Sequence, residues 1–412
     1  MQTLYTLLVY ISTFFLKIAA LFSPKMKLFV NGRKEVFSKL ALQISSQDKT
    51  LWFHCASLGE YEQGLPVMKA LRQEFPKHKM VLTFFSPSGY EVKKNTPEAD
   101  VVCYLPLDTK KNAKKWIEAV HPSYVFFIKY EFWPNYLLTL KNDQVPVFLI
   151  SGLFRKNQLF FKPYGKWMQN VLGSFNYFFV QNETSENLLK SIGFTNVAIS
   201  GDTRFDRVSQ QLEQDNTLDF IDKFKNNRLC VVAGSTWAED EELLLDYINT
   251  APDTINFIIA PHQINRENIK NACQNITKKA VLYSEMKDKS LSEYNVFIVD
   301  TIGLLTKIYS YADIAYVGGG MGTAGLHNIL EPAAFGIPII IGKNFQKFPE
   351  AVALKTKGGL FAVGTKSELK TVIDTLVQNE NKRENIGKIN KEFVAKNRGA
   401  TPMIVSHILK NS

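Results

Sequence analysis

The sequence predicts an α/β fold built from two doubly wound, Rossmann-like domains. Three observations carry this. Short β-branched and aromatic runs alternate with amphipathic stretches from residue 50 onward, so the repeating unit is βα and the sheets are largely parallel. The chain has 412 residues, 45% of them hydrophobic, which is enough for two ordinary cores and too much for one compact domain. A polar stretch at 209–227 lacks a long apolar run and separates two βα series as a linker would. Two such domains leave a cleft beside the carboxyl ends of their strands, where sheets of this kind bind ligands. With 21% charged residues, disordered and fibrous classes are excluded.

In chain order, residues 4–22 are nearly all apolar, and a helix of that length spans about 28 Å, close to a bilayer core. Gln2, Thr6, Tyr10, Thr13 and Lys17 recur at steps of three or four and form one narrow polar stripe. The stripe favours a helix lying in the membrane interface over one that spans it; a core helix of the first domain is the alternative. Lys25, Lys27, Arg33 and Lys34 follow and read as a cluster attracted to anionic lipid. A cleaved signal peptide would need an earlier basic region, and the first side-chain cation is Lys17.

The β-rich runs of the first domain fall at 50–54, 80–84, 101–104, 124–128, 147–150, 177–180 and 197–200, with helices at 61–72, 110–120 and 183–192. The second series has strands near 229–233, 257–260, 296–299, 314–317 and 339–341, with helices at 238–247, 303–311, 328–335 and 367–378. The expected division is a membrane-associated helix at 1–30, a first α/β domain at 31–208, a linker at 209–227 and a second α/β domain at 228–412 with C-terminal helices.

Charge is distributed unevenly. Residues 1–200 carry 24 Lys and Arg against 14 Asp and Glu, while residues 201–412 carry 25 of each, so the whole excess of +10 sits in the first half. It accompanies an apolar helix and no recognised nucleic-acid module, which favours a membrane surface over nucleic acid as its partner. Four cysteines lie far apart with no CxxC pair, so a zinc knuckle and a disulfide scaffold are both unsupported and a reducing compartment is the default.

Ligand-type turns stand at the strand ends. Ser57-Leu58-Gly59-Glu60 runs from a strand into a helix, so Glu60 is a general-base candidate or merely complements the helix dipole. Ser86-Pro87-Ser88-Gly89 offers hydroxyls and backbone N–H groups, and Glu131 precedes Trp133 and a helix-starting Pro134. The strongest motif is Gly318-Gly319-Gly320 followed by His327-Asn328 and Glu331. Consecutive glycines let the backbone approach a phosphate, a helix expected to start near His327 directs N–H groups at it, and Glu331 is suited to ribose hydroxyls. Neither a P-loop nor a dinucleotide fingerprint is present. Gly234-Ser235-Thr236, Pro261-His262 with Arg266, and Ile302-Gly303 add turns along the same edge. His54, His262 and His327 lack metal-ligand spacing, so no metal is expected. The acidic run 239–242 reads as a helix start with its charges in solvent.

These motifs, in this order and over nearly the whole chain, resemble the 3-deoxy-D-manno-octulosonic acid (Kdo) transferases of lipopolysaccharide assembly. The resemblance rests on residues 54–60, 83–89, 131–135, 201–206, 234–236 and 317–332. It implies a GT-B fold with acceptor binding in the first domain and nucleotide-sugar binding in the second, CMP-Kdo as donor substrate, a lipid A precursor as acceptor, no cofactor, and attachment to the cytoplasmic face of the inner membrane. Glu60 matches the family's catalytic base, Gly318 to Gly320 and the following helix would receive the CMP phosphate, and Glu331 the ribose. The sequence departs from the family pattern at Lys129, Trp237, His262, Gln263 and Leu304. The alternatives are another GT-B enzyme acting on a nucleotide sugar, such as a UDP-sugar transferase or epimerase, and a non-catalytic binding protein.

Overall fold

A computed structural model describes residues 1–410, without the side chains of residues 266, 268, 271 and 272. The first unit, Met1–Arg207 with Arg398–Ser412, holds a seven-stranded parallel sheet. Its strands are β1 Thr50–Cys55, β2 Lys79–Phe84, β3 Val101–Tyr104, β4 Pro122–Ile128, β5 Val147–Gly152, β6 Tyr177–Val180 and β7 Val197–Ile199, in the order β3-β2-β1-β4-β5-β6-β7. The second unit, Val208–Asn397, holds another: β8 Leu229–Thr236, β9 Ile255–Pro261, β10 Ala280–Leu282, β11 Val296–Ile298, β12 Ile314–Val317, β13 Ile339–Gly342 and β14 Leu360–Val363, ordered β10-β11-β9-β8-β12-β13-β14. This is the two-domain α/β architecture of the GT-B class.

Central strands are buried on both faces because helices cover both sides of a parallel sheet; all six residues of β1 are buried. That explains why they read as continuous apolar runs. β10 and β14 escaped the sequence reading because each is short and lies at an edge of its sheet, where the apolar run is brief.

Each sheet has a central switch point where the strand order turns back, between β1 and β4 and between β8 and β12; in the second sheet the order also turns at β11, with β10 outside it. Doubly wound sheets bind ligands beyond the carboxyl ends of the strands at this switch point. Glu60 stands in the first turn of the helix after β1 and Glu131 in the loop after β4, while Ser235 lies near the end of β8 and the three glycines follow β12.

Two expected boundaries are corrected. Residues 209–227 are not a bare linker: helix Asp219–Lys225 buries Ile221 and Phe224 within the second unit. The C-terminal helix, Ala400–Lys410, belongs to the first unit, where Ile404 and Ile408 join the core formed by Leu51, Phe53, Met68 and Leu71. Each fully buried isoleucine contributes about 1.5–3 kcal/mol. The Asp206 carboxylate fixes the start of this helix, accepting the amides of Gly399 and Thr401 at 2.5 and 2.6 Å.

The N-terminal helix Gln2–Phe22 has no buried residue, and its large apolar side chains, among them Leu8, Phe14, Phe15 and Phe22, are exposed. The polar stripe faces the protein. Gln2 and Thr6 hydrogen-bond the side chain of the buried Asn135 at 3.1 and 3.2 Å, and Tyr10, Thr13 and Lys17 line a pocket against the following helices. The stripe thus docks the helix on its own domain, and the apolar face is left outward. By length and composition the helix suits membrane association.

Arg33 is the second correction to this region. It is no member of a lipid-facing cluster: Nε, Nη1 and Nη2 donate to the carbonyls of Leu105, Phe29 and Phe85 at 2.9, 2.7 and 2.6 Å. Its guanidinium lies 3.7 Å from the centre of the Phe29 ring. Burial pulls its pKa down to about 10.

Candidate functional site

In the first unit the chain leaves β1 through Ala56 and Ser57 and enters helix Leu58–Glu74, with Ser57 at the N-cap and Glu60 in the first turn. The amide dipoles there favour a carboxylate. Glu60 is 6% exposed, and the Ser57 hydroxyl donates to its Oε2. Among the described residues Oε1 has no hydrogen-bond partner. Gly59 is exposed, and a β-carbon on it would meet nothing nearer than the Ser57 hydroxyl at 3.8 Å, so the approach beside Glu60 is open.

The turn after β2 folds onto this one. The amides of Phe85 and Ser86 donate to the carbonyls of Cys55 and Ala56 at 3.3 and 2.8 Å. The absence of a side chain on Gly89 permits this approach, since a β-carbon would lie 3.0 Å from the Ser57 carbonyl carbon. The Ser86 and Ser88 hydroxyls hydrogen-bond each other at 2.6 Å.

Glu131, 9% exposed, is held by a buried chain of hydrogen bonds that sequence reasoning missed. Thr83 Oγ1 receives the Trp52 indole N–H at 2.8 Å and donates to the Phe53 carbonyl at 3.2 Å. It is then left to accept from His54 Nδ1 at 2.9 Å, which assigns that tautomer and frees Nε2 as an acceptor. The Trp133 indole N–H fills it at 3.0 Å and also reaches Glu131 Oε2 at 2.9 Å. Burial first, and then the charges of Glu60 and Glu131, push the Cys55 thiol well above its ordinary range. The residue leading into this loop, Lys129, is held at φ 72°, in the left-handed region that costs a non-glycine residue about 1–3 kcal/mol.

In the second unit the glycine turn is built, but its chemistry differs from the expectation. The amide of Gly318 donates to the Gly234 carbonyl at 2.9 Å, and that of Gly319 to Asp240 Oδ2 at 2.7 Å. Neither remains for a phosphate. Asp240 is fully buried and also accepts the Trp237 amide at 3.0 Å and the Tyr316 hydroxyl at 2.8 Å. The acidic run 239–242 is therefore not wholly in solvent; an acid three residues after a helix N-cap is the signal that could have singled out Asp240. Gly319 stands at φ 86°, and a β-carbon there would lie 2.1 Å from the Gly325 carbonyl oxygen.

The helix expected at His327 starts instead at Leu330 and is six residues long. His327 lies in the preceding loop, and its Nε2 accepts the Trp237 indole N–H at 3.0 Å. The rings of Trp237 and His262 stack at 4.7 Å, and those of His262 and His327 approach to 4.3 Å. Burial, and secondarily His262, pull the His327 pKa down to about 4. Glu331, expected at the ribose, accepts from Thr306 Oγ1 at 3.0 Å and Asn328 Nδ2 at 3.1 Å.

Gly234-Ser235-Thr236 is no turn. β8 continues through it, and Ser235, at φ 54°, is the extra residue where the pairing with β9 shifts register, so its partly exposed side chain is re-aimed at the strand end. The His262 amide, just after Pro261, donates to the Thr236 carbonyl at 2.9 Å. Ile302 is 83% exposed and Gly303 has open space around it, so that turn is solvent-facing. The side chain of Arg266 lies outside the described residues. Among those residues no group of three or more His, Cys, Asp or Glu converges as metal ligands would.

Residues 32–207 match the family model described as 3-deoxy-D-manno-octulosonic-acid transferase (kdotransferase), and residues 207–393 match that of glycosyl transferases group 1. A 3-deoxy-D-manno-octulosonic acid transferase of Aquifex aeolicus is 28% identical over 79% of this chain and 86% of its own length. Together these matches support a Kdo transferase. The chain is therefore a glycosyltransferase. A bifunctional glycosyltransferase/methyltransferase of Fusobacterium nucleatum is 27% identical over 89% of this chain, which spans 58% of that protein's length. The fold is shared with UDP-GlcNAc 2-epimerase of Neisseria meningitidis, with a TM-score of 0.62 at 18% identity, covering 88% of this chain and 100% of that one. Within the family frame, the Glu60 turn and the glycine turn occupy the switch points of its two domains.

Proposed function

We propose that this Kdo transferase moves Kdo from CMP-Kdo to a phosphorylated lipid A precursor, with inversion and without a metal, at the cytoplasmic face of the inner membrane. The observation that supports this most directly is Glu60: a nearly buried carboxylate at a switch point, with Oε2 held by Ser57 and Oε1 left to take a proton. An acceptor hydroxyl loses its proton to Oε1 as its oxygen bonds to the anomeric carbon of Kdo, and the bond from that carbon to the CMP phosphate oxygen breaks. Glu131, fixed by Trp133, orients the acceptor sugar beside Ser86 and Ser88.

On the donor unit, the Ser235 hydroxyl and the Trp237–His262–His327 rings take the place of the glycine amides as nucleotide contacts, and Glu331 receives the ribose. The apolar helix and the basic first half suit an acceptor that is both anionic and membrane-bound.

The test is mass spectrometry of the product from CMP-Kdo and a tetraacylated, bisphosphorylated lipid A precursor. Addition of Kdo is expected, with kcat in Glu60→Gln lower by about 10²–10⁴ and binding of both substrates kept. Preference for UDP ligands in thermal-shift measurements, or near-normal turnover in Glu60→Gln, would refute the donor and the base respectively.

A further inference from the structure

A pocket of about 320 Å³ lies in the first unit, enclosed by the N-terminal helix, the helices Pro24–Asn31 and Val36–Gln43 and the loop that follows β3. Its size is that of a small-ligand site. The walls include Leu16, Phe37, Pro106 and Leu107, while Lys17 and Lys34 are exposed at its edge. Among the described residues neither lysine ammonium has a carboxylate or hydrogen-bond partner, whereas Lys79, Lys190 and Lys225 each pair with a carboxylate. An apolar cavity edged by two unpaired ammonium groups is complementary to an amphiphile with an anionic head. Long lysine stems can lie along apolar surface while presenting their charge.

We infer that this pocket holds one acyl chain of an anionic phospholipid of the bilayer, with the phosphate against Lys17 and Lys34. Two observations select this occupant. The outer face of Gln2–Phe22 exposes Leu8, Phe14, Phe15 and Phe22, so the helix that walls the pocket also carries the surface suited to lipid. Phe29 and Arg33 line the pocket and also pack on Phe85, through a ring contact at 5.2 Å and the bond to its carbonyl, so they wall the pocket off from the Ser86 turn. A resident lipid fits such a closed-off site better than an acceptor that must reach Glu60. The bound lipid would stabilise the helix on its domain through Tyr10 and Thr13, which share the lining.

The test uses the full chain with phosphatidylcholine vesicles doped with phosphatidylglycerol bearing a photoreactive group at one acyl terminus. Cross-links are expected on residues 13–17, 29–37 and 106–112. In the double variant Lys17→Glu, Lys34→Glu their yield per vesicle-bound molecule should fall about tenfold or more, while Lys25→Glu, Lys27→Glu should weaken vesicle binding and leave the yield per bound molecule nearly unchanged. Thr13→Trp, which fills the cavity, should block labelling with vesicle binding retained; if that variant melts early, the lysine pair still decides. Labels spread evenly along the outer helix face, equal labelling by a phosphatidylcholine probe, or equal losses in the two lysine pairs would overturn the site.

Discussion

Asp240 Oδ2 accepts the amide hydrogen of Gly319 at 2.7 Å, joining two residues 79 positions apart in the chain. The bond sets the glycine turn after β12 against the helix after β8, across the switch point of the donor sheet. Removing this carboxylate leaves the amides of Trp237 and Gly319 and the Tyr316 hydroxyl without a partner. Each orphaned group costs about 1–3 kcal/mol. Asp240→Ala should therefore destabilise the second unit by about 3 kcal/mol or more in urea titrations and weaken CMP binding in calorimetry. Unchanged stability would mean the turn holds itself.

Two glycines with positive φ make a controlled comparison. Gly319→Ala forces a β-carbon to 2.1 Å from the Gly325 carbonyl oxygen, whereas Gly303 at φ 94° has nothing within 4 Å. Alanine at 303 then carries only the left-handed backbone cost of about 1–2 kcal/mol. Alanine at 319 adds a clash with backbone, so its melting temperature should fall well below that of Gly303→Ala. Equal shifts would show that the turn relaxes freely.

Arg33 and Lys34 are neighbours with opposite expected behaviour. Arg33→Ala strands three carbonyl oxygens and leaves a hole between Phe29 and Phe85, and should cost about 2–4 kcal/mol; Lys cannot replace the three-way fork. Lys34→Ala, at an exposed position, should stay within about 0.5 kcal/mol. Chemical denaturation of the two single variants checks this.

His327 makes the second unit sensitive to acid. With a folded pKa of about 4 against 6.5 for a free imidazole, the unfolded chain binds the proton more readily, so stability is complete above pH 6.5 and is lost as pH falls toward 4. Its imidazole resonances should show no titration step near pH 6.5. The melting temperature should decline between pH 6.5 and 4 less steeply in His327→Gln than in the parent chain. A His327 midpoint near 6.5 would contradict the burial that Trp237 imposes.

Much of this molecule was legible from local pattern. The βα alternation located twelve of the fourteen strands because a parallel strand buried on both faces must be apolar throughout. The Glu60 turn, the glycine run and the apolar N-terminal helix were visible for the same kind of reason: each is a contiguous chemical signal. Assignments that depended on a distant partner were not. The sequence could not tell that Asp240 is buried, that Arg33 reaches a carbonyl 52 residues away, or that the polar stripe meets Asn135 across 129 residues. Nor could it return the C-terminal helix to the first unit through Asp206, a contact spanning 195 residues.

The sequence by itself determined which segments become strands and helices, and which strand ends carry reactive groups, since both follow from periodicity and residue type. Only the tertiary structure decided which of those groups remain available. Among the described residues the Gly318 and Gly319 amides are satisfied internally, Glu60 keeps one carboxylate oxygen unpartnered, and the stripe on the first helix is turned toward its own domain. A buried polar group must find its partner wherever the fold brings one, and that choice is made by strand order and not by neighbours in the chain.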